Sequence, residues 1–308
     1  MDAKKVVVAG VTGAIGSVVA RSLISAGYDV YGVARDPEKA NSMVNGMSLC
    51  IKWDINRPDE LSSIAEGSRA VINLTGAPLL TKWKGDYEKE IVSSRVEGTK
   101  YVVEAIKNCE EKPEVLINAS AAGFYGYEGN REAVESSPAG KDFWGKLVSD
   151  WENAALQAEK SGLRTVLIRT TLVLMRGEGA LKVLEPYFRK GLGGYVSPGD
   201  QVFPWIHIDD EVGIIMKAIE NDRFRGPVNC VGGTITSRDF SRQIGMALGR
   251  GSRLPIPKVI IRAMFGKASD LVLQSQIIKS ERMDELGYEI RYGKIGDALK
   301  EIFKQPER

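Results

Sequence analysis

Seven residues near the start of the chain, Gly10-Val11-Thr12-Gly13-Ala14-Ile15-Gly16, restrict its fold more than any other segment. They leave an apolar run, Val6 to Ala9, and open a helical pattern. In a G-x-x-G-x-x-G turn from strand to helix, Gly10 makes the tight turn, Gly13 lets the backbone approach a pyrophosphate, and Gly16 lets helix and sheet pack closely. Thr12, Ala14 and Ile15 complete the loop and first helical turn, where free N–H groups and the helix dipole face an anion. The plainer alternative is a glycine-rich turn with no ligand, and its place directly after the first strand favours the phosphate loop.

The rest of the first half keeps a strand-helix rhythm. Short β-branched runs at Lys5–Ala9, Asp29–Ala34, Leu49–Trp53, Ala70–Leu74, Val115–Ala119 and Thr165–Arg169 read as strands. Gly16–Ala26, Pro58–Glu66, Tyr87–Cys109 and Phe143–Ser161 read as helices. This alternation predicts an α/β, Rossmann-type, doubly wound parallel sheet. Beyond Arg169 come a glycine-rich stretch, 177–199, a strand at Trp205–Ile208, a helix from Asp210 to Asn221 and a strand at Val228–Val231. The remainder reads as mostly helical. The expected division is a nucleotide-binding domain over 1–175, to which 205–231 returns, and a smaller substrate-side domain from 176–204 and 232–308.

Cofactor choice turns on the end of the second strand. An acid that accepts from the ribose 2′-hydroxyl of NAD is expected there, about 20 residues past the glycines. The sequence reads Val33-Ala34-Arg35 instead, and Arg35 offers a fork of donors to a 2′-phosphate, so NADP(H) is expected over NAD(H). Arg35 as a solvated loop residue is the alternative. Asp54 with Ile55, at the end of the third strand, is placed to meet the adenine, or is simply an exposed strand-end acid. Leu74-Thr75-Gly76 and Ala119, ending the fourth and fifth strands, complete the expected nucleotide set.

Charge and cysteine content remove several function classes. Lysine plus arginine numbers 42 against 40 acids, scattered along the chain, so no nucleic-acid or membrane partner is expected. A small-molecule substrate is expected instead, on a monomer or homodimer. Three cysteines without C-x-x-C spacing, and a single histidine, argue against a disulfide framework or a metal site. No run of about 20 apolar residues and no leader pattern is present, so a cytoplasmic location is expected; an organelle form that has lost a transit peptide would read the same.

Several further motifs resemble one family. They are Val71-Ile72-Asn73-Leu74-Thr75-Gly76-Ala77-Pro78, Ser94-Arg95-Val96-Glu97-Gly98-Thr99, Ser120-Ala121-Ala122-Gly123-Phe124-Tyr125-Gly126 and Trp205-Ile206-His207-Ile208-Asp209-Asp210, with Leu254-Pro255-Ile256-Pro257 and the segment Leu286 to Tyr292. Together with the glycine loop they resemble the atypical extended short-chain dehydrogenase/reductases called epimerase-family proteins, the YfcH-like group, across essentially the whole chain. The resemblance implies an NADP(H)-binding Rossmann domain, a substrate cleft against the extra C-terminal domain, and action on a small polar, nucleotide-sugar-like compound. Fold carries reaction poorly, so the chemistry is read from the residues.

The wider class uses a Tyr-x-x-x-Lys helix pair to pass a proton to or from the substrate oxygen. Aligning Glu152 with the glutamate that usually follows the lysine puts Trp144 and Val148 in those places, and Lys146, two residues from Val148, points to another face. Ser120, Tyr125 and Tyr127 are the remaining protic candidates, with a strand-end hydrogen bond and cleft lining as the alternatives. Arg95 either binds a substrate anion or pairs with Glu97 or another acid. His207, between Trp205 and Asp209-Asp210, is either a general base or a structural histidine, while Asp209 and Asp210 suit a helix N-cap. Arg176 and Lys190 either contact an anionic substrate or belong to an ordinary charged loop. Two functions follow: an NADP(H)-dependent oxidoreductase or epimerase without the usual pair, or a non-catalytic NADP(H)-sensing protein.

Overall fold

The computed structural model describes residues 4–127, 132–252 and 254–304. From the N-terminus, β1 (Lys5–Ala9), α1 (Ala14–Ser25), β2 (Asp29–Ala34), α2 (Pro37–Met43), β3 (Leu49–Lys52), α3 (Pro58–Ala65), β4 (Ala70–Asn73), α4 (Tyr87–Asn108) and β5 (Val115–Ala121) alternate regularly. A short β6 (Glu132–Ala133), α5 (Phe143–Leu156), β7 (Arg164–Thr170) and β8 (Leu172–Leu174) follow. Seven strands form one parallel sheet in the order β3-β2-β1-β4-β5-β7, with β11 (Gly226–Cys230) at its far edge. The order reverses between β1 and β4, which opens a crevice at the carboxyl ends of the strands.

The central strands are apolar throughout because helices cover both faces of a parallel sheet. Val6 and Val8 point with Ile72 and Ile117 into a core closed by α1 and by α7 (Ile208–Glu220). Val7, Val71 and Leu116 point to the opposite side, against residues of α3 and α4. The unanticipated α2 has a full start signal: Asp36 accepts from Lys39 N at 3.0 Å, Pro37 opens the helix and Glu38 lies in its first turn. The helix read as Phe143–Ser161 ends at Leu156 and tightens into a 3-10 turn over Gln157–Ser161.

The glycine-rich stretch, read as a loop, contains α6 (Gly179–Arg189) and β9 (Gly194–Val196). Its glycines bracket the helix, with φ of 72° at Gly177, 55° at Gly179 and 75° at Gly191. The strand expected at Trp205–Ile208 is β10 (Val202–His207), since Ile208 already belongs to α7. Between β8 and β12 (Gly233–Thr236), β10 makes a separate three-stranded sheet. The tail, read as mostly helical, adds to α8 (Ser237–Leu248) a strand β13 (Leu254–Ile256) on β9, α9 (Lys258–Phe265), α10 (Asp270–Leu273) and β14 (Ile277–Ile278) on β6. It ends in α11 (Met283–Leu286) and α12 (Ile295–Lys304). Leu174, Phe188, Trp205, Phe240, Ile244 and Leu299 form a second core under this part.

Candidate functional site

The turn after β1 is built as an anion cradle. Gly10 has φ of 83° and its N–H donates to Val33 O at 3.0 Å, while Gly13 N–H donates back to Gly10 O at 2.9 Å. A Cβ on Gly16 would stand 2.2 Å from Gly10 O, so only glycine lets helix and loop close. No side chain caps α1 and no acid lies in its first turn. Gly13 and Ala14 are exposed, Thr12 and Ile15 half-buried, and the amide end of the helix points into the crevice unscreened.

Around that cradle, Arg35 is exposed at the end of β2, and the neighbouring Asp36 is engaged in capping α2. Asp54 accepts from Asn56 N and Asn56 Nδ2 in a local turn, leaving Ile55 54% exposed beside it. At the end of β4, Thr75 donates from both N and Oγ1 to Asn73 Oδ1, and Asn73 Nδ2 reaches Asn118 Oδ1 at 2.7 Å and Thr99 Oγ1 at 3.1 Å. Trp151 Nε1 donates to the same Thr99 hydroxyl at 2.9 Å. This buried polar seam shapes Leu74-Thr75-Gly76. Its sequence signal is the Ile-Asn ending shared by β4 and the middle of β5.

Arg95 lies against Gly76, 8% exposed, with Nη2 donating to Ala77 O at 3.1 Å, Nη1 to Ile91 O at 3.3 Å, and the guanidinium 5.2 Å from the centre of the Trp151 ring. The expected pairing with Glu97 does not form, because Glu97 faces Lys100. Among the described residues no carboxylate pairs with Arg95, and burial lowers its pKa to about 10.

Sequence reasoning missed the network that holds two of the protic candidates. Arg169, at the end of β7, makes a bidentate pair with Glu152 of α5, 2.8 Å on each arm, and stacks 3.5 Å over the Phe124 ring. Burial opposes its charge, but the carboxylate more than offsets it and the guanidinium pKa is raised. Ser120 donates to the same Glu152 carboxylate. Tyr125 accepts from Arg169 Nη1 at 2.9 Å and donates to Asn229 Oδ1 at 2.6 Å, which fixes its hydroxyl inward. An arginine directly after the apolar run Val166-Leu167-Ile168 was the available signal.

Tyr127 differs. Its hydroxyl has no hydrogen bond within the described residues, and burial, then Asp142 and Asp270, raise its pKa. With Asp142, Phe143, Trp144, Asp270 and Gln274 it lines a pocket of about 260 Å³. Trp144 and Val148 are both buried and pack toward Gly123, so apolar side chains fill the α5 face where the wider class carries its tyrosine and lysine.

Other candidates have internal roles. His207, fully buried, caps α7 by accepting from Asp209 N at 3.1 Å and stacks on Tyr292 at 3.9 Å, so histidine, and neither aspartate, is the cap. Asp210 turns inward and accepts from Tyr288 Oη and from Arg291 and Tyr292 backbone N–H groups. Trp205, read as substrate-side, is 1% exposed in the second core. Arg176 pairs with Glu185 of α6 at 3.7 Å. Unforeseen was Glu211, 1% exposed, which accepts from Thr170 Oγ1; burial raises its carboxyl to about 7. It was hidden as the third acid of an ordinary first turn.

The model of the NAD dependent epimerase/dehydratase family matches residues 6–230. The chain belongs to that family. Residues 256–302 match a domain of unknown function, DUF1731, so this family member carries an additional C-terminal segment. It is 34% identical over 300 residues to the chloroplastic epimerase family protein SDR39U1 homolog of Arabidopsis thaliana, covering 96% of this chain and 86% of the relative. It is 33% identical over 304 residues to human epimerase family protein SDR39U1, covering 97% and 99%. A crystal structure of human SDR39U1 (isoform 2) with NADPH superposes with a TM-score of 0.86 at 32% identity, covering 98% of this chain and 99% of that one. The UDP-glucose 4-epimerase of Thermotoga maritima, at 19% identity and a TM-score of 0.79, shares the fold.

Proposed function

We propose that this family member is an NADPH-dependent reductase of a small carbonyl compound that works without the Tyr-Lys pair. The observation that carries the reading is the uncapped amide end of α1 inside a cradle of glycines. The residues fit the cofactor. Gly10, Gly13, Ala14, Ile15 and Gly16 hold a diphosphate through backbone N–H groups, with Thr12 beside them. Arg35 takes the 2′-phosphate, Asp54 and Ile55 border the adenine, and Leu74, Thr75, Gly76 and Ala119 let backbone approach the riboses and nicotinamide. The human relative solved with NADPH supports this assignment.

When bound, NADPH supplies a hydride; the chain's part is to orient the carbonyl and deliver a proton. Tyr127 is the protic side chain whose hydroxyl has no internal commitment among the described residues, whereas Ser120 and Tyr125 support the Glu152–Arg169 pair. Burial and two nearby carboxylates raise the Tyr127 pKa, so the phenol is present in the protonated form from which a carbonyl oxygen can take a proton.

The test is calorimetry with NADPH and NADH, followed by NADPH absorbance against a panel of aldehydes and ketones. NADPH is expected to bind at least about tenfold tighter than NADH, roughly 1.4 kcal/mol. Absence of heat with either nucleotide overturns the reading. A second reading, an NADP(H)-sensing protein without turnover, is favoured by the buried Trp144 and Val148 face. It predicts tight NADPH binding, silence across the carbonyl panel, and partner capture that depends on the nucleotide.

A further inference from the structure

The pocket beside Tyr127 has a chemistry of its own. Its volume, about 260 Å³, lies below the roughly 300–1,000 Å³ of sites for drug-sized ligands. Tyr127, Phe143 and Trp144 supply three aromatic walls, and Trp83 braces Trp144 edge-on at 5.7 Å. The Trp144 side chain is only 4% exposed, and its Nε1–H has no hydrogen-bond partner among the described residues. A buried indole N–H without an acceptor is costly, and this one is sealed from the pocket by its neighbours, so Trp144 contributes an apolar wall.

The electrostatics are one-sided. Asp142 takes Gly145 N–H at 2.8 Å and Tyr127 N–H at 2.9 Å, and Asp270 faces the same space from α10. Among the described lining residues there is no cation. The nearest one recorded against a wall, Lys267, rests 4.1 Å over the Phe143 ring and is neutralised by Glu88 at 2.7 Å. Aromatic faces and carboxylates together attract positive or neutral groups and repel anions.

We propose that the pocket bounded by Tyr127, Phe143, Trp144 and Asp270 receives the ring of a neutral or cationic aromatic carbonyl compound and rejects anionic ones, with the Tyr127 hydroxyl donating to the carbonyl oxygen. This rests on the reductase reading for its chemistry. The binding step can be measured apart from turnover.

The experiment titrates the tryptophan fluorescence of the full chain, without nucleotide, with benzaldehyde, 4-(trimethylammonio)benzaldehyde and 4-formylbenzoate. The neutral and cationic probes are expected to bind at least about tenfold tighter than the carboxylate, a gap of roughly 1.4 kcal/mol. Asp270→Asn narrows that gap and leaves benzaldehyde affinity nearly unchanged; Tyr127→Phe weakens all three, since it keeps a ring but loses the donor. The proposal is overturned if formylbenzoate binds as well as the cationic probe, if Asp270→Asn leaves the gap intact, or if none of the three binds. NADPH oxidation with the same probes separates the two ideas: turnover indifferent to charge removes the pocket's selectivity and keeps the reductase, while charge-selective binding without turnover does the reverse.

Discussion

The crossover after β1 and the facing surface of α5 border the same crevice and are built on opposite plans. At the crossover the backbone is bare: glycines where a Cβ would collide, and a helix start with neither cap nor acid. On α5 the two positions aligned with the expected Tyr-Lys pair are filled by Trp144 and Val148, both buried, and Glu152 beyond them is locked to Arg169. A site's grip and its chemistry are thus held by different kinds of constraint, the first by backbone geometry and the second by side-chain packing, and one can persist while the other is rebuilt.

Four perturbations test that contrast. Arg169→Met strands the buried Glu152 carboxylate and should cost about 3–5 kcal/mol of stability in urea unfolding. If the loss stays under about 1 kcal/mol, the α5 surface is not held by this pair. The second concerns Glu211, whose folded pKa of about 7 stands above the ordinary 4.5. A raised carboxyl favours the folded state fully below the unfolded value, and that contribution is lost as pH rises through about 7. Wild type should therefore lose up to about 3 kcal/mol relative to Glu211→Gln between pH 4.5 and 8. Parallel pH profiles for the two proteins would show that this carboxyl does not titrate in that window.

The other two address the bare half. Gly16→Ala forces the loop open, since its Cβ would meet Gly10 O, and NADPH affinity by calorimetry should fall about 100-fold, roughly 2.7 kcal/mol. An unchanged Kd would remove the cradle from the binding account. Arg35→Ala should abolish the preference for NADPH over NADH, about tenfold, while leaving NADH affinity where it was. A preference that survives would move the 2′-phosphate contact elsewhere.

The two halves also differed in legibility. The glycine turn from strand to helix and the parallel strands could be read from local pattern, because β-branched runs and glycine spacing act within a few residues. The absence of a Tyr-Lys pair was equally readable. What replaced it was not, because Glu152 meets Arg169, and Tyr125 meets Asn229, across long stretches of chain. His207 shows the same limit: a lone histidine before two aspartates suggests chemistry, yet burial and a local N-cap explain it. The second helix was missed although its Asp-Pro-Glu start was plain, since seven residues give too short a period to stand out.

The path of the chain through the large sheet has a consequence for biosynthesis. After β7 the polypeptide departs to lay down β8 and β10, and returns to add β11 at the sheet edge only afterwards. A nascent chain on the ribosome therefore carries an unfinished sheet edge until Cys230 has emerged. Asp210 meets its backbone partners at Arg291 and Tyr292 only 81 and 82 residues further along the chain. The first core cannot close until Val228 and Cys230 of this returning strand are in place, so the incomplete form exposes apolar surface while translation lasts.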